Sequence, residues 1–291
     1  MEQKLKELII DVEKELRPYF DQIEQNALIA QEHVLDAFHE VKITESDLIG
    51  TTGYGYDDIG RDHLEDVYSK VFKAEDSLVR PQIISGTHAI TLALNSQLKY
   101  GEELLYITGT PYDTLLEVIG INGNGIGSFI EQGIAYREVP LKQNKIDIHS
   151  VLENINENTK VIAIQRSKGY SSRPSLTIEQ IEQAIKAIKE VYPDKIIFVD
   201  NCYGEFVEDK EPIEIGADLI AGSLIKNPGG GLAKIGGYIS GKADLIERCA
   251  YRLTAPGIGK EAGASLGSLP EMYQGFFLAP HVVSQSLKGA L

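Results

Sequence analysis

Four segments carry residue types that could act together on an amino compound. Ile84-Ser85-Gly86-Thr87-His88-Ala89 is a small-residue turn running into a helical pattern. Such a turn offers free backbone N–H groups, and the positive end of a helix dipole, to a phosphate. Pro111-Tyr112-Asp113-Thr114 follows an apolar run and puts an aromatic ring where it could lie against another ring. Asp200 comes straight after Ile196-Ile197-Phe198-Val199 and opens Asp200-Asn201-Cys202-Tyr203-Gly204-Glu205-Phe206. A carboxylate at the end of a buried strand needs a cation or a donor to offset its desolvation. Lys226 follows Ala221-Gly222-Ser223-Leu224-Ile225 and precedes Asn227-Pro228 and three glycines that allow close backbone approach. An amine in so apolar a setting is expected to have a lowered pKa and to serve as a nucleophile. Singly, each segment has a plainer role: a helix cap for the Ser85 turn and for Asp200, a core aromatic for Tyr112, a snorkelling side chain for Lys226. Jointly, in this order, they meet the needs of pyridoxal phosphate. The phosphate needs donors, the ring a stacking face, the pyridinium nitrogen a carboxylate and the aldehyde an amine.

A parallel α/β sheet would bring such segments together, because strand ends and helix N-termini meet along one edge. Apolar runs at 82–84, 103–107, 161–164, 196–199 and 219–221 read as buried strands. Helical patterns lie between them. One spans 89–99, and another spans 177–191, where Thr177 and Gln180 form a capping box. Ahead of this, Leu5, Leu8, Ile9, Val12 and Leu16 recur at helical spacing, Pro18 is expected to break the helix, and a second helix is expected over 22–41. The expectation is an N-terminal helical arm, 1–48, either solvated or packed on a partner subunit, and one α/β domain over 49–291.

Other chemistries are excluded by spacing and composition. Gly263-Ala264-Ser265-Leu266-Gly267 matches a nucleophile elbow but lacks the preceding strand and the downstream acid and His. Gly123, Gly125 and Gly127 make half a dinucleotide fingerprint, better read as a loop. Lys260 follows Gly259, but Thr254 stands where a phosphate-binding loop needs its first glycine. The 6 histidines include no pair at ligand spacing, and Cys202 and Cys249 make neither a disulfide framework nor a Cys-rich metal site, so no metal is expected. With 28 basic against 43 acidic residues the net charge is −15, which argues against nucleic acid or an anionic membrane as partner. The first residues, MEQKLKELIIDVEKEL, are charged throughout, and no apolar run reaches the ~20 residues that span a bilayer. With 43% hydrophobic residues over 291 positions, the composition is that of a soluble globular protein, expected in the cytoplasm.

Longer blocks carry a family resemblance: Gly53-Tyr54-Gly55-Tyr56-Asp57-Asp58-Ile59-Gly60-Arg61-Asp62, Arg80 through Ala89, Ile164-Gln165-Arg166-Ser167-Lys168-Gly169-Tyr170, the Asp200 block, Gly222 through Pro228, and Tyr251-Arg252-Leu253-Thr254-Ala255-Pro256-Gly257. Across about 50–265 the chain resembles fold-type-I pyridoxal-phosphate enzymes of the cystathionine lyase and methionine γ-lyase superfamily, in the branch labelled aluminium resistance protein. The resemblance implies a PLP-dependent transferase-like fold with a mostly parallel central sheet, and a carbon–sulfur lyase that eliminates at the β- or γ-position of a sulfur-containing amino acid. It implies that Lys226 holds the cofactor as a Schiff base and shuttles the Cα proton, and that Asp200 keeps the ring nitrogen protonated. Ser85, Gly86, Thr87 and Ser223 would hold the phosphate, and Tyr112 would stack on the ring and protonate a departing thiolate. Tyr56 and Arg61 match positions from which a neighbouring subunit reaches the phosphate, implying a homodimer or homotetramer with shared sites. Tyr203 matches an aminotransferase position that bonds the ring hydroxyl, so an aminotransferase is the alternative reaction. Relatives continue into a small C-terminal domain that supplies an Arg for the substrate carboxylate. That domain is expected to be absent from this stretch of chain, which leaves Arg166, Arg173 and Arg252 as candidates and a PLP-binding fragment without turnover as a third expectation.

Overall fold

The computed structural model describes residues 2–291. Its strands are β1 (Asp76–Arg80), β2 (Glu103–Tyr106), β3 (Ala135–Glu138), β4 (Thr159–Gln165), β5 (Ile196–Asp200), β6 (Leu219–Ser223) and β7 (Gly237–Gly241). They form one sheet in the order β1-β7-β6-β5-β4-β2-β3. Strands β3, β2, β4, β5 and β6 pair in parallel, while β7 runs antiparallel to both β6 and β1. Strand β1 therefore points the same way as the parallel body, and six of the seven strands end on one edge. That edge is where a parallel sheet builds its ligand crevice.

Helices α1 (Glu2–Val41), α2 (Ile59–Phe72), α3 (Gly86–Gln97), α4 (Asp113–Ile119), α5 (Ile148–Asn154), α6 (Ile178–Val191), α7 (Ala243–Leu253) and α8 (Leu269–Ala290) complete the fold. Both sheet faces are covered, which is why β5 and β6 are buried at every position and read as apolar runs. Alternation along β5 sends Ile197 and Val199 to one core, with Leu64 of α2, Ile185 of α6 and Phe276 of α8. Ile196 and Phe198 go to the other, with Ile90 of α3 and Ile246 of α7. Helix α6 begins as its capping box dictates: the Gln180 N–H donates to Thr177 Oγ1 (3.3 Å), and the Thr177 N–H donates to Gln180 Oε1 (3.1 Å).

Three expectations need correction. Pro18 does not break the first helix, which runs unbroken through it. A proline removes only one backbone bond, and Pro18 and Lys14 both lie on an exposed stretch where water can meet the freed carbonyl. The second half of α1 is anchored by Ala30, Val34 and Ala37, and by Phe38 edge-on to Tyr273 and Phe277. Residues 82–84 are a turn, closed by the Ile83 N–H on the Arg80 carbonyl (3.2 Å); the strand is the preceding 76–80, which stops at Pro81 because proline has no N–H for a ladder. Strands β3 and β7 were not anticipated, since Ala-Tyr-Arg-Glu is a half-polar edge and Gly-Tyr-Ile-Ser-Gly is bounded by glycines. Among the described residues no helix is long and apolar enough to cross a membrane.

Candidate active site

The carboxyl ends of β4, β5 and β6 and the amino end of α3 enclose a cavity of about 460 Å³. Eight of the ten candidate residues line it: Ser85, Gly86, Thr87, Tyr112, Asp200, Tyr203, Ser223 and Lys226. Ser85 does cap α3, its Oγ accepting the His88 N–H at 3.0 Å. The cap leaves the N–H groups of Gly86 and Thr87, in the first helical turn, without an intrahelical acceptor. Gly86 is required by proximity: a Cβ there would lie 3.1 Å from Ser223 Cβ and 3.4 Å from Cys202 Sγ. Ser223 Oγ is buried with no hydrogen-bond partner. An orphan hydroxyl costs about 1–3 kcal/mol. A phosphate oxygen seated between the α3 terminus and Ser223 would satisfy both, so these residues fit the phosphate of pyridoxal phosphate.

Asp200 ends β5 fully buried, and its Oδ1 accepts the Cys202 N–H at 3.1 Å. Burial raises its pKa, opposed by the Cys202 N–H and thiol and by the Lys226 charge. The carboxylate thus gains from a cation held against it, which a protonated ring nitrogen would supply. Lys226 Nζ sits 4.3 Å from the centre of the Tyr203 ring, a cation–π distance. Its pKa is raised, against the expectation from its apolar neighbours in sequence: burial pushes it down, but Cys202, Tyr203 and Asp200 push it up further. The reason lies in where the flanking residues go. Leu224 turns into a core cluster and Ile225 is exposed, so the ammonium faces acidic groups. Tyr203 itself is held at φ 67°, in the left-handed region.

Tyr112 is fixed from both ends. Its N–H donates to Gln165 Oε1 (3.1 Å), and its hydroxyl shares a 3.0 Å hydrogen bond with Thr87 Oγ1. Burial drives its pKa far up, so the phenol stays protonated and is a proton donor. Tyr56 and Arg61 are not brought to the Lys226 cavity of their own chain. Tyr56 is exposed against Tyr54, with ring centres 5.8 Å apart. Arg61 is buried, donating to the Gly55 carbonyl (2.6 Å), the Gly263 carbonyl (3.2 Å) and Asp62 (2.8 Å). Arg166 is also committed, to Asn201 (2.9 Å) and Glu208 (2.8 Å), and Arg252 bonds Asn95 (3.1 Å) away from the cavity. The Gly-x-Ser-x-Gly segment is structural, since Ser265 donates to Asp58 Oδ2 at 2.7 Å.

Nine of the lining residues were not among the candidates, and two of these bear on the site's electrostatics and positioning. Cys202 lies two positions after Asp200, visible in the motif but indistinguishable there from a core thiol. Gln165 stands at the end of β4, in register with Asp200, a relation that only strand pairing reveals.

Residues 5–291 match the family described as methionine gamma-lyase. The chain belongs to the methionine gamma-lyase family. It is 58% identical over 289 residues to the Bacillus subtilis (strain 168) protein YnbB, covering 99% of this chain and 69% of YnbB. It superimposes with a TM-score of 0.95, at 45% identity, on a Clostridium novyi NT structure described as a carbon-sulfur lyase involved in aluminum resistance, covering 99% of this chain and 69% of that one. At 18% identity it shares the fold of the Escherichia coli pyridoxal-5'-phosphate dependent protein YhfS, with a TM-score of 0.66 over 92% of this chain and 68% of that one. This methionine gamma-lyase family member therefore has the fold-type-I architecture its motifs implied.

Proposed function

We propose that the chain is a pyridoxal-phosphate-dependent carbon–sulfur lyase acting on a sulfur-containing amino acid. The observation that carries this is the convergence of the orphan Ser223 hydroxyl, the open α3 terminus, buried Asp200 and Lys226 on one cavity. Bound pyridoxal phosphate supplies the electron sink that makes a Cα proton acidic and lets a sulfur substituent leave. Gly86, Thr87 and Ser223 would hold the phosphate, and Asp200 would hold the proton on the ring nitrogen. Lys226 would attach the cofactor and, once the substrate amine takes its place, carry the Cα proton as a free amine. Tyr112, kept protonated by burial, would give its proton to the departing sulfur. The products are a thiol, an oxoacid and ammonia, with one water consumed.

The methionine gamma-lyase family match supports the reading, as does the description of the Clostridium novyi structure. Steady-state assay of thiol and oxoacid from cystathionine, cysteine and methionine, with saturating cofactor, tests it. Turnover of any one supports the lyase; a bound cofactor with no thiol release from all three overturns it and leaves a fragment without turnover. Tyr203, facing Lys226, favours an aminotransferase as the second reading, and amino transfer to an added ketoacid without thiol release would establish that. The same proposal includes a homodimer or homotetramer, supported by the exposed Tyr54 and Tyr56 and by the apolar residues Leu5, Leu8, Ile9 and Val12 exposed along α1. Native mass in solution tests it.

A further inference from the structure

A second cavity, of about 560 Å³, adjoins the Lys226 cavity. The two share a wall made by Tyr112, Asp113, Gln165 and Tyr170. Arg173 and Lys168 line the second cavity and not the first. Arg173 is half-buried, and its guanidinium donates to the carbonyls of Gln165 (2.9 Å), Ser167 (2.7 Å) and Pro174 (2.9 Å). These neutral acceptors hold the side chain in place without cancelling its charge. Burial alone lowers its pKa, with no carboxylate among the causes to oppose the shift. Arg166, deeper in the same region, is by contrast paired with Glu208. In a chain of net charge −15, a half-buried guanidinium on a cavity wall that pairs with no carboxylate among the described residues, although Asp113 lines the same cavity, is a site prepared for an anion that arrives with a ligand.

We propose that the second cavity is the subsite for a carboxylate at the far end of the substrate's sulfur substituent, held by Arg173 with Lys168. The inference rests on the lyase reading of the Lys226 cavity and narrows its substrate to a cysteine- or homocysteine-type amino acid whose sulfur bears an anionic chain. The carboxylate on Cα must stay beside the reacting carbon in the Lys226 cavity, so an anion at Arg173, across the Tyr112–Gln165 wall, is the distant one. Asp113 on the shared wall disfavours a carboxylate at the boundary and reinforces its placement on the Arg173 side.

The test compares S-(2-carboxyethyl)-L-cysteine with its neutral isostere S-(2-carbamoylethyl)-L-cysteine in the cofactor-loaded wild type, Arg173→Met and Lys168→Met. The wild type is expected to favour the carboxylate in kcat/KM by about tenfold or more, the worth of a charge-assisted hydrogen bond. Arg173→Met should erase that preference, and Lys168→Met should cut it severalfold. Lys168 guards against loss of folding, because its ammonium holds no part of the loop. A wild-type ratio near one, or a ratio that survives both substitutions, overturns the subsite while the lyase stands. If the wild type releases thiol from neither compound, the lyase reading is judged on cystathionine, cysteine and methionine, and glutarate binding followed by ligand-detected NMR decides the subsite. Binding lost in both variants supports it, and absent or unaltered binding overturns it.

Discussion

Glu205 offers a sharp physical test of the layer beneath Lys226. Its carboxyl is fully buried, with Oε1 accepting the Tyr238 hydroxyl at 2.8 Å and Oε2 without any partner. Burial pushes its pKa from 4.5 to about 8, reinforced by neighbouring Glu211 and opposed by its own N–H, by Tyr238 and by Lys226. The folded protein therefore carries a proton that the unfolded chain releases above pH 4.5. With the folded pKa raised, the contribution is fully present below pH 4.5, declines through the interval and is gone above about pH 8. The slope is about 1.4 kcal/mol per pH unit, or about 5 kcal/mol over the whole window. Glu205→Gln keeps the shape and the acceptor for Tyr238 but cannot ionise. Urea unfolding of both proteins at pH 5.5 and 7.5 should show the variant gaining about 3 kcal/mol on the wild type between the two. Parallel stability profiles would mean that Glu205 is ionised in the folded state, and the account of this layer would be wrong.

Three further outcomes follow from the same contacts. Ser223→Ala should leave the stability of the cofactor-free protein unchanged or raised by up to about 1 kcal/mol, because the hydroxyl has no partner to lose, yet weaken cofactor binding about tenfold in a fluorescence titration. Gly222→Ala would put a Cβ 2.5 Å from both Glu205 Oε1 and the Tyr238 ring, and should cost about 1–3 kcal/mol in chemical denaturation. Arg80→Met should cost about 3 kcal/mol in the same measurement, since it strips the 2.8 Å partner from the buried Glu65 carboxylate and leaves it Lys260 at 3.2 Å.

The fold was legible where burial on both faces leaves an unbroken apolar run, as in β4, β5 and β6, and where a cap is written in side chains, as at Thr177 and Gln180. It was illegible where tertiary pairing alone makes the strand. Strand β7 contains glycines at both ends and exists because β1 and β6 flank it. The residues of the candidate cavity were legible because most of them end a strand or open a helix, positions marked by local sequence. The electrostatics were not. The amine at 226 sits between apolar residues in the chain, and only the fold shows that its neighbours in space are Asp200, Cys202 and Tyr203. Arg61 is a similar case, since its acceptors at Gly55 and Gly263 are far apart in sequence and meet only on folding.

The central claim is that Lys226 holds pyridoxal phosphate above Asp200. Visible absorbance of the purified protein, before and after borohydride and beside Lys226→Ala, tests it most directly. The account predicts a cofactor band in the wild type that borohydride abolishes, with the added mass fixed on the peptide containing Lys226 and no such band in the variant. No band in the wild type with cofactor added, or the same band and the same fixation in Lys226→Ala, would contradict it.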